Sequence, residues 1–315
     1  MGHGVLLRRV VRMYQLAAGC GPCRSHRLSD PASTVQSSSH QEVAVRANSF
    51  DGLCAACAQH VLAGSGRLTG RPGAWRTWCI ACSPSAPARG AHRGWHDVTL
   101  ASLDFETTGV DPRHDRVISY ALLDEPGFEI TGLIHPGIPV PPASAAVHGI
   151  SDAMLADAPP ADVEIAVVAE WVQSLVERQV GLVVFNAAYD LTMLQAECRR
   201  HDVAEPEWDR LLVVDPFVVD WGLTRGELGQ RRLVDVAAYY EVGIDNAHDA
   251  SCDARAARDV AVEQAARHEH VGTATLSDLM AHQRRWYAER AEDWNAYARR
   301  VGRDLDDPTG WPLAA

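Results

Sequence analysis

Asp104 and Glu106 stand two residues apart in the run Val98-Thr99-Leu100-Ala101-Ser102-Leu103-Asp104-Phe105-Glu106, which ends at Thr107-Thr108-Gly109. A strand sends residues i and i+2 to one face, so the two carboxylates point together and Phe105 faces the core. Two such charges about 4 Å apart repel by about 4 kcal/mol at an effective dielectric of 20, which calls for a cation. Hard oxygen ligands with no clustered His or Cys favour Mg²⁺ or Mn²⁺. Asp190 follows the buried-strand run Gly181-Leu182-Val183-Val184-Phe185-Asn186 and falls in the first turn of a helix, where the helix dipole favours an acid. His248 and Asp253 open a further long helical run. An imidazole suits proton transfer near neutral pH. Singly, each of these has an ordinary structural use: a solvated strand end, a helix N-terminal acid, a chance pairing.

Six of the eight Cys lie in three CxxC pairs, Cys20/Cys23, Cys54/Cys57 and Cys79/Cys82. In a reducing compartment such pairs read as metal sites rather than disulfides. The second and third pairs are 21 residues apart, with Gly-rich turns and short apolar pieces between them. Two knuckles of two thiolates each complete a tetrahedral site with Zn–S bonds of about 2.3 Å. Cys54, Cys57, Cys79 and Cys82 are therefore expected to hold a structural Zn²⁺ in a small β ribbon. Cys20/Cys23, with only His26 and His40 nearby, reads as an unliganded pair.

The elements that must position these residues are legible as apolar runs. Strands are expected near 98–105, 116–124, 127–134, 180–185 and 211–214. Helices are expected near 162–178, 188–201, 231–240 and 249–268, with one more over 275–302 carrying Trp286, Tyr287, Trp294, Tyr297 and Val301. The net charge of −12 is uneven: residues 1–97 hold 11 Arg and 4 acids, whereas 98–315 hold 18 Arg and 37 acids. A basic arm on an acidic domain suits a polyanion partner, although a short basic segment can equally be merely solvated. Every cation is Arg, which fits codon bias as well as phosphate binding. No run of apolar residues is long enough to cross a membrane, and the Arg-broken start does not resemble a signal peptide, so a cytoplasmic protein is expected.

Taken in order, Asp104-Phe105-Glu106-Thr107-Thr108-Gly109, Asn186-Ala187-Ala188-Tyr189-Asp190 and His248-x4-Asp253 resemble the three motifs of the DEDDh, or DnaQ-like, 3′→5′ exonucleases. That family includes RNase T, oligoribonuclease and the proofreading epsilon subunit of bacterial replicative polymerase. Val147-His148-Gly149-Ile150 resembles its HGI element, and Asp215 follows an apolar strand as in its fifth strand. The resemblance covers about residues 98–268. It implies a ribonuclease H-like α/β fold, a mixed five-stranded sheet flanked by helices. It also implies two Mg²⁺ or Mn²⁺ on Asp104, Glu106, Asp190 and Asp253, His248 as general base, and Thr107 and His148 beside the terminal nucleotide. The product would be 5′-mononucleotides.

The expected organisation is a basic, largely disordered segment over 1–49, a zinc ribbon over 50–83 and a linker over 84–96. The exonuclease domain then spans 97–270, with a helix and tail over 271–315. The expected partner is the 3′ end of nucleic acid, single-stranded DNA by preference, with a polymerase or repair protein as a further partner and no membrane. These residues do not separate DNA from RNA; the pocket around the 2′ position would. An exoribonuclease and a non-catalytic zinc-ribbon adaptor are the alternatives.

Overall fold

The computed structural model describes residues 47–70, 74–124, 127–229, 231–245, 248–303 and 307–314, all within one compact unit, Val43–Ala315. The expectations for residues 1–46, the Cys20/Cys23 pair among them, lie outside the described residues.

Four short strands open the described chain: β1 (Gly52–Leu53), β2 (His60–Val61), β3 (Arg67–Thr69) and β4 (Arg76–Trp78). β1 pairs with β2 and β3 with β4, both antiparallel, giving two hairpins. Asn48 is buried between them, accepting from Gly66 N and donating to the Phe50 and Leu62 carbonyls, so this ribbon begins by Ala47.

The main sheet contains β5 (Ala101–Thr107), β6 (Val117–Leu123), β7 (Glu129–Leu133), β8 (Leu182–Val183) and β9 (Val213–Val214), in the order β7-β6-β5-β8-β9. β5, β6 and β7 form an antiparallel meander, whereas β8 and β9 run parallel to β5. This is the mixed five-stranded sheet expected, with β8 and β9 shorter than their apolar runs suggest. The parallel connections require crossovers, which helices supply. α3 (Ala161–Arg178) bridges β7 to β8, and α4 (Ala187–Arg200) bridges β8 to β9. In α3, Ile165, Val168, Ala169, Val172, Leu175 and Val176 are buried at helical spacing, the pattern of a one-faced apolar stripe.

After β9 come α5 (Pro216–Thr224), α6 (Leu233–Tyr239), α7 (Ala250–Arg267), α8 (Glu269–Gly272) and α9 (Leu276–Arg300). Two short helices, α1 (Pro142–His148) and α2 (Asp152–Leu155), precede α3. α9 begins at Thr275, whose hydroxyl accepts from Asp278 N at 3.1 Å. It buries Leu279, Met280, Gln283, Trp286, Tyr287, Ala291, Asn295 and Ala298, so it packs into the core of the domain. Neither Trp294 nor Tyr297 belongs to that buried face and Val301 is exposed, so of the aromatic set only Trp286 and Tyr287 belong to the core. α9 meets α5 closely: a Cβ on Gly222 would lie 2.3 Å from the Trp286 ring.

The stretch expected as a linker is laid down on this domain. Tyr239 Oη donates to the Ser85 carbonyl, Arg267 to the Pro87 carbonyl, and Gly90 N to the Ala266 carbonyl. Trp95 is buried and its indole donates to the Val271 carbonyl at 2.9 Å. A Cβ on Gly94 would lie 1.8 Å from the Gly272 carbonyl oxygen, an approach only glycine permits.

Candidate active site

β5 carries Asp104 and Glu106 to its C-terminal end on one face, paired across to Ala121 and Ser119 of β6. The register shifts between Glu106 and Thr107, ending regular pairing just where the acids stand. Such bulges re-aim a strand end. α7 brings Asp253 to the same place. Its N-cap is Asp249, which accepts from Ser251 N and Cys252 N, so Asp253 lies in the first turn of a capped helix. Carboxylate oxygens of Asp104, Glu106 and Asp253 lie within 4.8 Å of one another. Asp190, buried in the first turn of α4, stands outside that tight group but is the strongest charged influence on Asp104.

Crowding acids out of water has the expected electrical result. Burial, then Asp190, Asp253 and Glu106, hold the Asp104 carboxyl well above the ordinary range. Burial with Asp253 and Asp249 pushes Glu106 up to about 7. Burial raises Asp253 against the opposing pull of the His248 amide. Burial raises Asp190 too, with the Phe105 amide opposing. Asp253 Oδ2 accepts from His248 N at 3.1 Å, while its Oδ1 is buried with no hydrogen-bond partner. A buried carboxylate oxygen without a donor, beside two further carboxylates, fits a hard divalent cation.

His248 is exposed at the rim, in a left-handed conformation at φ 68°. Such a backbone state is uncommon for a residue with a side chain and marks a constrained position. Thr107 Oγ1 and Tyr189 Oη lie 2.5 Å apart and both stand within hydrogen-bond reach of the Gly109 carbonyl, so one hydroxyl donates to the other, which donates to that carbonyl. Thus the motif turn after β5 is locked to the helix that carries Asp190. His148 closes α1, its Nδ1 accepting from Ile150 N at 3.0 Å and its Nε2 buried without a partner. Burial is the main cause that lowers its basicity, and the nearby His248 adds to it.

Three supporting contacts escaped the sequence. Tyr189 joins Thr107 and Gly109 as described. Ser144 Oγ donates to the Thr108 carbonyl at 2.6 Å, fixing α1 to the motif turn. Asp215 accepts from Asn186 N and Ala187 N, each at 2.9 Å. An Asp-Pro pair at a helix start is a legible N-cap signal, but nothing local says that the cap also serves another helix.

The four ribbon cysteines also converge, their sulfurs all within 4.8 Å, and all four are free. Cys57 and Cys79 sulfurs are 3.8 Å apart, close to the edge of a tetrahedron with bonds of about 2.3 Å. The backbone amides of Cys57 and Cys79 lower the Cys54 thiol to about 6, while the neighbouring thiols, Cys79 first, push Cys82 up to about 12. Ordered knuckles that favour thiolate at one sulfur and crowd another suit a metal.

The family model for the RNase T exonucleases matches residues 102–261, which span β5 to α7 and every acid of the site. The chain belongs to this exonuclease family. A DNA polymerase III subunit epsilon-like protein of Rhodobacter capsulatus is 38% identical over 105 residues, 31% of this chain and 14% of that protein. DNA polymerase III subunit epsilon of Treponema pallidum is 27% identical over 180 residues, 54% of this chain and 78% of that one. A Mycobacterium tuberculosis relative is 27% identical over 196 residues, 59% of this chain, and the chain spans only 29% of its length. Escherichia coli Exonuclease I, solved with a dT13 oligonucleotide, superposes with a TM-score of 0.46 at 18% identity, covering 55% of this chain and 42% of that one. The exonuclease domain is thus of the DnaQ-like type, and the four-cysteine cluster fits a zinc-ribbon extension. Among the described residues no helix is long and apolar enough to cross a membrane.

Proposed function

We propose that this exonuclease removes nucleotides from the 3′ end of single-stranded DNA by a two-metal-ion hydrolysis, releasing 5′-mononucleotides. The convergence of Asp104, Glu106 and Asp253 within 4.8 Å, around a buried Asp253 oxygen with no donor, carries the proposal. Asp104, Glu106, Asp190 and Asp253 would hold two Mg²⁺ or Mn²⁺. When bound, divalent cations there supply activation of water and neutralise charge gathering on the phosphate oxygens.

The chain's own residues do the rest. His248, exposed beside Asp253, takes the proton from the attacking water; the hydrogen bond that its backbone N–H donates to Asp253 Oδ2 ties the base to the acid cluster. The water oxygen bonds to phosphorus as the bond from phosphorus to the 3′ oxygen breaks; that oxygen takes a proton from solvent, leaving a shortened strand with a free 3′ hydroxyl, and His248 returns its proton to solvent. Thr107, held by Tyr189, and His148, near enough to His248 to feel its charge, would flank the terminal nucleotide. A DNA substrate is supported by the relatives named as DNA polymerase III epsilon or epsilon-like, and the polarity by the resemblance of the three motifs to the 3′→5′ exonucleases. We further propose that the cysteine cluster holds a structural Zn²⁺, and that the ribbon expected over 50–83 starts three residues earlier, at Ala47, beside an exonuclease domain over 97–270.

The test is nucleotide release from single-stranded DNA and RNA labelled at either end. Early mononucleotide release from 3′-labelled DNA, with the 5′ label retained on a shortening ladder, is expected. Preferential release from RNA would favour the exoribonuclease alternative, and early loss of the 5′ label would refute the polarity.

A further inference from the structure

The family match ends at residue 261, yet the buried core continues through α9 and the segment 307–314. Both reach one buried carboxylate, Asp215. As N-cap of its own helix α5, Asp215 accepts from Phe217 N at 3.1 Å and Val218 N at 3.4 Å. It also accepts from Asn186 N and Ala187 N, each at 2.9 Å, at the opening of α4. α4 has no cap of its own: Asn186 sits at the N-cap position in a left-handed conformation, φ 63°, and its side chain makes no capping bond. The first N–H groups of a helix need partners from elsewhere. Asp215 thus caps two helices at once. Asp190 lies in the first turn of α4, so its carboxyl moves with that capped turn.

Two groups beyond the family match hold Asp215 in place. Trp311 Nε1 donates to its Oδ2 at 3.1 Å. Gln283 of α9 accepts from Asp215 N at 2.6 Å and donates through Nε2 to the Val213 carbonyl at 2.9 Å, clasping the end of β9. Exposure is 0% for Asp215 and Gln283 and 6% for Trp311, so these bonds form out of water, where polar groups demand partners. Asn295 exchanges two hydrogen bonds with the Asp307 backbone and Arg290 pairs with its carboxylate, pinning the segment that carries Trp311 to α9.

We infer that Trp311 and Gln283 are positioning residues for the active site: they fix Asp215, Asp215 fixes the first turn of α4, and that turn sets where Asp190 stands beside Asp104. This rests on the proposed metal-holding role of these acids.

The experiment is calorimetric titration of the full-length protein with Mn²⁺, using Asp104→Asn as the blank. Trp311→Phe keeps an aromatic ring but removes the donor to Asp215. Leu313→Ala trims packing on the same segment and removes no hydrogen-bonding group from Asp215. Trp311→Phe is expected to weaken Mn²⁺ binding about tenfold, as outer partners of metal ligands do, and to lower kcat with KM for an oligonucleotide unchanged. Leu313→Ala is expected to lower Tm while leaving both alone. Mn²⁺ affinity in Trp311→Phe equal to that of the wild type would overturn the inference. A wild-type titration indistinguishable from the Asp104→Asn blank would instead sink the metal site, and this inference with it. Should Trp311→Phe not fold, hydrogen exchange of the wild type decides. The Trp311 indole N–H and the Asn186 and Ala187 amides are expected to share one protection level. Amides still protected after the indole has exchanged would overturn the coupling.

Discussion

Asp253 divides its two oxygens between different tasks, one accepting the His248 amide and one left buried without a donor. Removing the charge at this cluster should therefore have opposite effects on stability with and without metal. In EDTA, Asp104→Asn relieves repulsion among Asp104, Glu106, Asp190 and Asp253, and Tm should rise by about 2–4 °C, the shift that roughly 1 kcal/mol gives in a chain of this size. Adding Mg²⁺ should raise the wild-type Tm by linkage and leave the variant unmoved. A variant that gains as much from Mg²⁺ as the wild type would contradict the assignment. His248 is different, being exposed and touching the cluster through its backbone. His248→Gln should keep that backbone bond and Mn²⁺ affinity, and lower kcat by about 10²–10⁴-fold, the usual worth of a general base. Loss of metal affinity in parallel would make it a ligand instead.

At the scale of elements, α7 spans the domain from Asp253 at its start to His268 just beyond its end, where the chemistry is stability rather than catalysis. Burial, then His270 and Arg267, lower the His268 imidazole to about 4, with Tyr240 Oη beside it at 3.3 Å. A base depressed in the fold binds fewer protons than the unfolded chain between its two pKa values. Its contribution is thus present above the unfolded value near 6.5 and is lost as pH falls toward about 4. Tm should fall across that window, and His268→Gln should flatten the fall; an unchanged slope would refute the linkage. The ribbon offers a parallel test. Cys79→Ser should lose one Zn²⁺ per chain by elemental analysis and loosen residues 47–82, leaving mononucleotide release from short DNA intact. Long elements such as α3, α7 and α9 were legible because their apolar spacing repeats over several turns. α1, α2 and α5 were not: α1 and α2 span one or two turns, and α5 starts at a Pro directly after a strand. β8 and β9 shrank to two residues each because the parallel pairing that joins them to β5 and to each other is brief, although their apolar runs are longer. Asp104, Glu106 and Asp253 were legible through order and spacing. The contacts of Tyr189, Ser144 and Asp215 were not, because their partners lie up to 96 residues away and depend on the sheet order.

For the whole molecule, a basic N-terminal part on an acidic enzyme raises the question of which surface meets long substrates. A truncation at residue 95 would remove the stretch from Ser85 onward that lies on the domain, with its buried Trp95, so the deletion stops before Ser85. Deleting residues 1–83 should weaken binding to long single-stranded DNA and reduce its salt dependence, since removed Arg side chains no longer release counterions. Cleavage of short oligonucleotides should persist; unchanged affinity for long DNA would count against docking through this part. The most direct measurement is mononucleotide release from 3′-labelled single-stranded DNA in Mg²⁺, in EDTA, and with Asp104→Ala in Mg²⁺. Release in Mg²⁺ alone, abolished by EDTA and by the substitution, is the expected result. Release that persists in Asp104→Ala, or none from the wild type in either Mg²⁺ or Mn²⁺, would contradict the site.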